Sequence, residues 1–240
     1  VVTAVTAQNT TGVVAVHEVP PETVAAQFRA VMEDIGADAV KTGMLGSAAV
    51  VAVVAELLLE YRVPALVVDP VLRAKDGHPL LGEEGRRLLV RKLLPLAKVV
   101  TPNLEEAGAL LGREVRGVDG MREAAKRLLE LGPSWVVVKG GHLAGEPVDV
   151  AYDGRDWIEL GGPRLPHRVH GTGCTFAAAL AAGLARGLAV PAALALARGF
   201  TELAIRHALA LGRGHRVPNH AAAGRPGEER SPGPRPEASP

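Results

Sequence analysis

Short apolar runs alternate with longer amphipathic segments along most of this sequence. The apolar runs, such as 63–68, 98–101 and 135–139, end in polar residues or proline, as buried strands do. The longer segments between them repeat their apolar residues with helical spacing. This alternation is typical of βαβ units. It predicts an α/β fold in which a mostly parallel central sheet is covered by helices on both faces.

The same pattern places the individual elements. Strands are predicted at 1–7, 13–19, 37–42, 63–68, 98–101, 135–139, 148–152 and 157–160. Helices are predicted at 20–35, 47–61, 83–94, 104–111, 121–131, 173–186 and 191–211. Residues 221–240 are rich in glycine and proline and too poor in apolar residues to fold. We therefore expect one domain over residues 1–220 and a disordered tail over 221–240.

Composition narrows the class of function. The formal net charge is +1 and aromatic residues make up 3% of the chain, which argues against a nucleic-acid partner. The chain has 1 cysteine, so it forms no internal disulfide, and a reducing cytoplasm is the expected compartment. Its apolar runs are too short to cross a membrane. Chemistry on a small molecule is the class that this composition favours.

A glycine-rich loop stands directly before a helix of small residues. Gly171, Thr172 and Gly173 let backbone N–H groups converge at the predicted helix N-terminus, where the helix dipole favours an anion. Cys174 lies within this loop, and the positive end of the helix is expected to lower its pKa, which makes it a candidate base or nucleophile. A simple turn that caps a helix, with a small core cysteine, is the alternative.

Several polar residues follow the predicted strands, and ligands of such sheets bind beyond the carboxyl ends of the strands. Asn103 and Glu106 share one face of a helix's first turn and suit Mg2+, or they form an ordinary helix cap. Asp69 is a candidate metal ligand or hydroxyl-orienting group, or a turn residue. Lys139 suits phosphate oxygens, or it pairs with a surface carboxylate.

Another group of residues suits a flat heteroaromatic ring. Gln8 both donates and accepts hydrogen bonds at a ring edge, while Met44 and Val71 pack against a ring face. For the two apolar residues, a place in the core is the alternative. His170 and His215 are too widely spread to indicate a zinc site.

Taken together, these motifs resemble the hydroxymethylpyrimidine kinase/phosphomethylpyrimidine kinase family of thiamine biosynthesis, within the ribokinase-like superfamily. The resemblance covers residues 1–220. Its motifs are Thr6-Ala7-Gln8-Asn9-Thr10, Lys41-Thr42-Gly43-Met44-Leu45, Asp69-Pro70-Val71, Thr101-Pro102-Asn103-Leu104-Glu105-Glu106-Ala107, Lys139-Gly140-Gly141 and His170-Gly171-Thr172-Gly173-Cys174-Thr175. It implies a ribokinase-like three-layer α/β/α sandwich.

The resemblance also implies roles for the residues above. Gln8, Met44 and Val71 would line a pyrimidine pocket. The anion hole for the transferring phosphoryl group would be formed by 171–173, with Cys174 as the base. Mg2+ and its waters would be held by Asn103 and Glu106, with Asp69 nearby, and Lys139 would face the phosphates of ATP. The resemblance further suggests a homodimer.

The expected activity is therefore ATP- and Mg2+-dependent phosphorylation of 4-amino-5-hydroxymethyl-2-methylpyrimidine and of its monophosphate. A pyridoxal or pyridoxine kinase of the same cysteine-bearing type is an alternative. Members of the family usually begin with a strand and a glycine-rich loop, and this sequence starts after them. A catalytically silent ligand-binding remnant is therefore the second alternative.

Overall fold

The computed structural model of the protein describes residues 1–74, 77–141, 143–166 and 169–223. The strands are β1 (Ala4–Asn9), β2 (Gly12–Glu18), β3 (Val40–Thr42), β4 (Leu66–Val68), β5 (Val99–Val100), β6 (Trp135–Val138), β7 (Val148–Tyr152) and β8 (Trp157–Gly161). The helices are α1 (Pro21–Asp34), α2 (Ala48–Glu60), α3 (Glu83–Leu88), α4 (Leu104–Leu111), α5 (Gly117–Leu129), α6 (Thr172–Ala185), α7 (Val190–Arg206) and α8 (His220–Ala223).

Six strands form the central sheet in the order β3-β4-β5-β6-β7-β8. Neighbouring strands from β3 to β6 are parallel. Strands β7 and β8 join at one side of the sheet, and each pairs antiparallel with the strand before it. The parallel strands are short, and β4, β5 and β6 consist of buried valine and leucine apart from Trp135, as expected for strands covered on both faces. The predicted mostly parallel sheet is confirmed.

Alternate residues of each strand enter two separate hydrophobic cores. Val68, Val100 and Val138 belong to a core with helices α1 to α5, whereas Val67 and Val137 belong to a core with α6 and α7. Because successive strand residues point to opposite faces, one valine-rich strand serves both cores. The result is the predicted α/β/α sandwich, in which every parallel strand ends at the same edge of the sheet.

The first two strands differ from the prediction in their placement. They pair antiparallel in a separate two-stranded sheet and do not join the central one. Val5 is 57% exposed and Val14 is 79% exposed, so the apolar residues that predicted strands here are not core residues. We call this sheet, residues 4–18, the hairpin.

Two predicted helices end earlier than their apolar pattern suggested. Helix α3 passes into a π-helical turn at Leu89–Leu93 and a 3-10 turn at Leu94–Leu96, where Pro95 has no N–H to continue an α-helix. Helix α7 ends at Arg206 instead of residue 211. The chain then turns so that Leu209 pairs with Val217 through two backbone hydrogen bonds.

The C-terminal boundary also shifts. Residues 221–223, which the sequence placed in a tail, complete α8, and Ala223 is buried. Residues 224–240, together with the predicted loop residues 75–76, lie outside the described residues. In the described part of the chain, no helix has the length and apolar character needed to cross a membrane.

Candidate functional site

Asp69 lies at the centre of a charged cluster at the carboxyl edge of the sheet. It follows β4 directly, is 2% exposed, and accepts a hydrogen bond from Lys139 Nζ at 2.9 Å. Thr101 Oγ1 donates to the same carboxylate oxygen, Oδ1, at 3.3 Å, and Lys41 Nζ lies 3.9 Å from the other oxygen, Oδ2. One buried carboxylate thus holds two ammonium groups that come from strands on either side. We call Lys41, Asp69, Glu106 and Lys139 the charged cluster.

Lys139 connects this cluster to the glycine-rich loop. Burial alone would lower the pKa of its ammonium, but the carboxylates of Asp69 and Glu106 outweigh burial, and the pKa is raised. The lysine is therefore fully charged at neutral pH. A Cβ built on Gly173 would lie 2.9 Å from Lys139 Nζ, so the ammonium lies against the backbone of the loop. A side chain at position 173 would collide with it.

Asn103 and Glu106 form a capping box at the start of α4. Asn103 Oδ1 accepts from the Glu106 N–H at 2.9 Å, and Glu106 Oε2 accepts from the Asn103 N–H at 2.8 Å. The helix cap that the sequence left open as an alternative is therefore present. Burial raises the pKa of Glu106 to about 7, although Lys139 and the Asn103 N–H lower it in part.

The donor set of this region fits Mg2+. Asp69 and Glu106 supply carboxylate oxygens at one edge of the sheet, close enough for the charge of Asp69 to raise the pKa of Glu106 in part. Among the described residues, no group of three or more His, Cys, Asp or Glu side chains could hold a metal ion alone. Mg2+ does not need a group of three ligating side chains, because it commonly keeps several waters and binds one or two carboxylates plus substrate phosphates.

The glycine-rich loop forms the N-terminus of α6. Gly171 is the N-cap and has φ +86°, the left-handed region that favours glycine. Its carbonyl oxygen accepts from both the N–H and the hydroxyl of Thr175, each at 2.9 Å. Thr175 Oγ1 is also 2.9 Å from His220 Nε2. No side chain caps α6 in the described residues, so the N–H groups of its first turn lack a side-chain acceptor, as an anion site requires.

Cys174 is the free thiol in the first turn of α6 and is exposed. The sequence predicted a lowered pKa for this thiol, and that prediction is wrong. Desolvation, followed by the negative charge of Asp69, raises its pKa, and the opposing effects of Lys41 and Lys139 are smaller. The error arose because only the helix N-terminus was visible in the local sequence. The carboxylate comes from a residue more than 100 positions away.

Gln8 reaches the glycine-rich loop from the hairpin. Its Nε2 atom lies 3.0 Å from His170 Nε2, so the end of β1 contacts the residue that precedes the loop. Met44 and Val71 are half-buried and follow β3 and β4. The Met44 carbonyl accepts from Thr3 Oγ1 at 2.7 Å, which ties the loop after β3 to the start of the chain.

A cavity of about 380 Å3 opens beside the glycine-rich loop. It is lined by His170, Gly171, Cys174, Thr175, Ala178, Val217, Pro218 and His220. The sequence did not identify the segment 209–220 as part of the site. It contributes a backbone group, because the His170 N–H donates to the Arg216 carbonyl at 2.9 Å, and a side chain, because His220 contacts Thr175.

Lys41 is a further residue that was given no role from the sequence. The signal was present, because a lysine followed by Thr-Gly at a strand end is the same kind of pattern that drew attention to Lys139. The described residues thus bring together Lys41, Asp69, Glu106, Lys139 and Cys174.

The sequence of the chain is similar to those of known kinases. The family described as phosphomethylpyrimidine kinase matches residues 1–219. The hydroxymethylpyrimidine/phosphomethylpyrimidine kinase of Streptomyces coelicolor is 49% identical over 215 residues, which cover 89% of this chain and 80% of that protein. The thiamine biosynthesis bifunctional protein ThiED of Geobacter sulfurreducens is 48% identical over 225 residues, which cover 93% of this chain. The chain spans 46% of that longer protein.

Solved structures of two kinases superpose on this chain. The phosphomethylpyrimidine kinase of Clostridium difficile 630 superposes with a TM-score of 0.76 at 37% identity, covering 85% of this chain and 84% of that one. An ADP complex of Bacillus subtilis pyridoxal kinase superposes with a TM-score of 0.83 at 36% identity, covering 91% of this chain and 84% of that one.

Proposed function

We propose a function from one premise: the chain belongs to the phosphomethylpyrimidine kinase family, whose profile matches residues 1–219. It is a phosphotransferase of thiamine biosynthesis that uses ATP. Its substrate is 4-amino-5-hydroxymethyl-2-methylpyrimidine, and the monophosphate of this pyrimidine is its second substrate. This is the function that the sequence motifs predicted.

The observation that carries the proposal is the position of Lys139. Its charged ammonium is bonded to Asp69 and lies against Gly173 at the N-terminus of α6. Phosphoryl transfer depends mainly on positioning and on neutralising the charge of the transferred group. A lysine next to helix N–H groups that lack a side-chain acceptor supplies both. We assign the transferring phosphoryl group to residues 171–173 and the ATP phosphates to Lys139.

Mg2+ is the second part of the proposal. Asp69 and Glu106 would hold the ion, with Asn103 and bound waters completing the set. When bound, the ion neutralises phosphate charge. It would also return the Glu106 carboxyl to its charged form, because a nearby positive charge favours ionisation.

Cys174 takes the proton of the substrate hydroxymethyl group in this proposal. The Sγ atom must be a thiolate to do so, and the raised pKa means that the thiolate fraction increases with pH above neutrality. Gln8 would bond the edge of the pyrimidine ring, and Met44 and Val71 would pack against its face. A homodimeric assembly and a cytoplasmic location stay predictions from the sequence.

A coupled assay of ADP release tests the proposal. The 240-residue chain is mixed with hydroxymethylpyrimidine, ATP and Mg2+, beside its Cys174→Ala variant and a sample containing EDTA. We expect pyrimidine-dependent ADP release that falls at least about 1,000-fold in the variant and disappears with EDTA. Binding of the pyrimidine without ADP release would instead support the silent ligand-binding alternative.

Pyridoxal phosphorylation is a second candidate, because the superposition on the Bacillus subtilis pyridoxal kinase reaches a TM-score of 0.83. Both substrates are six-membered nitrogen heterocycles that carry a hydroxymethyl group. The same assay with pyridoxal separates the two candidates. We expect a higher kcat/KM for the pyrimidine, and the reverse order would favour the pyridoxal kinase.

A further inference from the structure

A second buried carboxylate, Asp149, lies behind the charged cluster. It is on β7 and is 5% exposed. One oxygen accepts from the Gly140 backbone N–H at 2.9 Å, and the other accepts from Arg198 Nη1 of α7 at 2.9 Å. Asp149 therefore connects a helix on one face of the sheet with the turn that follows β6.

This turn directly follows Lys139. The Lys139 N–H donates to the Pro102 carbonyl at 2.8 Å, and the next N–H, that of Gly140, donates to Asp149. Two consecutive N–H groups are thus bonded to the two neighbours of β6. The Lys139 N–H is bonded to the residue that follows β5 closely, and the Gly140 N–H is bonded to β7. The direction in which Lys139 leaves the sheet is fixed by these two bonds.

The packing around Gly140 leaves no room for a different turn. A Cβ at this position would lie 1.9 Å from the Val148 carbonyl oxygen, so only glycine allows the close approach of the turn to β7. Arg198 is equally confined, since its Nη2 atom lies 2.8 Å from a Cβ built on Gly162. Its buried Nε has no hydrogen-bond partner among the described residues.

A buried ion pair of this kind is weak evidence for stability, because desolvation of both charges offsets most of their attraction. Asp149 and Arg198 are better explained by what they orient. We propose that Asp149 is a positioning residue: by accepting the Gly140 N–H it fixes the turn that aims Lys139 at Asp69 and Gly173, and Arg198 holds the carboxylate in place. The inference rests on the proposed kinase function.

Two double variants test the proposal, Asp149→Asn/Arg198→Met and Asp149→Leu/Arg198→Met. Both remove the ion pair and leave no unpaired charge. Asn and Leu have nearly the same shape, but only Asn offers an oxygen to the Gly140 N–H. We expect the Asn variant to keep kcat/KM for ATP within about 3-fold, and the Leu variant to lose about 10-fold to 100-fold, the effect of a small misplacement in a reacting site.

Controls separate positioning from folding. Both variants are assayed at least about 15 °C below their melting temperatures, where the unfolded fraction is small. A Glu123→Gln/Arg127→Met variant, which removes an exposed ion pair, is expected to match the original chain. Equal activity of the Asn and Leu variants, whether both high or both low, would overturn the proposal.

Hydrogen exchange tests the same inference without catalysis. The Lys139 N–H is not bonded to Asp149, but it is expected to exchange faster in the Leu variant than in the Asn variant, because the whole turn loosens. If the original chain shows no kinase activity, the proposed function fails while this exchange still decides the positioning role. Equal exchange of Lys139 in both variants would refute that role.

Discussion

The charged cluster and the hairpin both contact the region of the glycine-rich loop, but they differ in burial. The cluster stands at the ends of buried parallel strands, and Asp69 within it is 2% exposed. The hairpin is exposed along both of its strands. It reaches the site through contacts near its turn, where Gln8 meets His170 and the Thr10 carbonyl accepts from the His215 N–H.

This difference in burial predicts different effects of substitution in the two regions. Groups that neutralise phosphate charge must be held rigidly and away from water, because their value depends on preorganisation. In the proposed function, Gln8 would instead bond a ring edge from an exposed ribbon. Loss of the buried ion pair between Asp69 and Lys139 is therefore expected to lower both stability and kcat, whereas substitutions in the hairpin are expected to raise KM.

The largest effect is expected for Asp69→Ala. This change leaves Lys139 buried without its nearest carboxylate, and breaking a buried pair destabilises a protein by about 3–5 kcal/mol. We also expect kcat to fall by about 100-fold to 1,000-fold. Urea denaturation and the ADP assay measure the two losses. Asp119→Ala, at a carboxylate that is 98% exposed, is the control and should change neither.

Glu106→Gln is expected to stabilise the protein in a pH-dependent way. The folded pKa of about 7 lies above the ordinary value of 4.5, so the native protein binds this proton more tightly than the unfolded chain. In the original chain, the stabilisation that this proton gives is complete below about pH 4.5 and is lost as the pH rises through about 7. The neutral glutamine keeps the capping box, so we expect a gain of at most about 3 kcal/mol near pH 8 and little gain near pH 5.

Urea denaturation midpoints at the two pH values measure this effect. The same variant should need more Mg2+ for half-maximal activity, because an amide binds the ion more weakly than a carboxylate. A gain in stability that is the same at both pH values would contradict the assignment of the raised pKa.

Gly214→Ala tests how the hairpin is held. A Cβ at position 214 would lie 1.9 Å from the Thr10 carbonyl oxygen, whereas one at position 212 would meet Thr10 Oγ1 at 2.2 Å. We expect alanine at either position to displace the turn, lower stability by about 1–3 kcal/mol and raise KM for the pyrimidine with kcat nearly unchanged.

Adding Thr10→Ala to each variant makes the test specific. The added change removes the side chain that would collide with a methyl group at position 212, but it leaves the backbone oxygen that would collide with one at position 214. Thr10→Ala should therefore restore KM in the Gly212→Ala variant and not in the Gly214→Ala variant. Equal rescue of both would mean that the hairpin is held in another way.

Gln8→Ala should have the smallest effect. Its hydrogen bond to His170 is exposed, so its loss should change stability by less than about 1 kcal/mol. We expect KM for the pyrimidine to rise about 3-fold to 10-fold while KM for ATP and kcat stay constant. A fall in kcat with KM unchanged would move Gln8 from substrate recognition to the chemical step.

Much of the fold was predictable because its signals are local. Helix α4 has the predicted bounds, since Asn103 and Gly112 mark its two ends by capping. Ser47 likewise marks the start of α2. The place of the hairpin was not predictable, because apolar residues such as Val14 indicate a strand whether they are buried or exposed. The apolar pattern predicted that helix α7 continues through 207–211, but the helix ends at Arg206 and Leu209 pairs with Val217 instead.

The candidate site was predictable where one rule sufficed. Asp69, Asn103 and Lys139 follow parallel strands, and such strand ends share one edge of the sheet. The pKa of Cys174 was not predictable, because it depends on Asp69 across a large separation in sequence. The contribution of residues 209–220 was hidden for another reason. It is made partly by a backbone group, the Arg216 carbonyl, which leaves little trace in side-chain identity, and partly by His220, which lies far along the sequence from Thr175.

The contact between Thr10 and Gly214 also bears on the order of folding. The two residues are 204 positions apart, and contacts of such long range form late because a long loop must close first. During synthesis the hairpin emerges before the central sheet, yet Thr10 in its turn cannot bond to Gly214 and His215 until these residues have left the ribosome. The sheet with its charged cluster is then already translated. A nascent chain is therefore expected to form the sheet with its charged cluster before the turn of the hairpin docks.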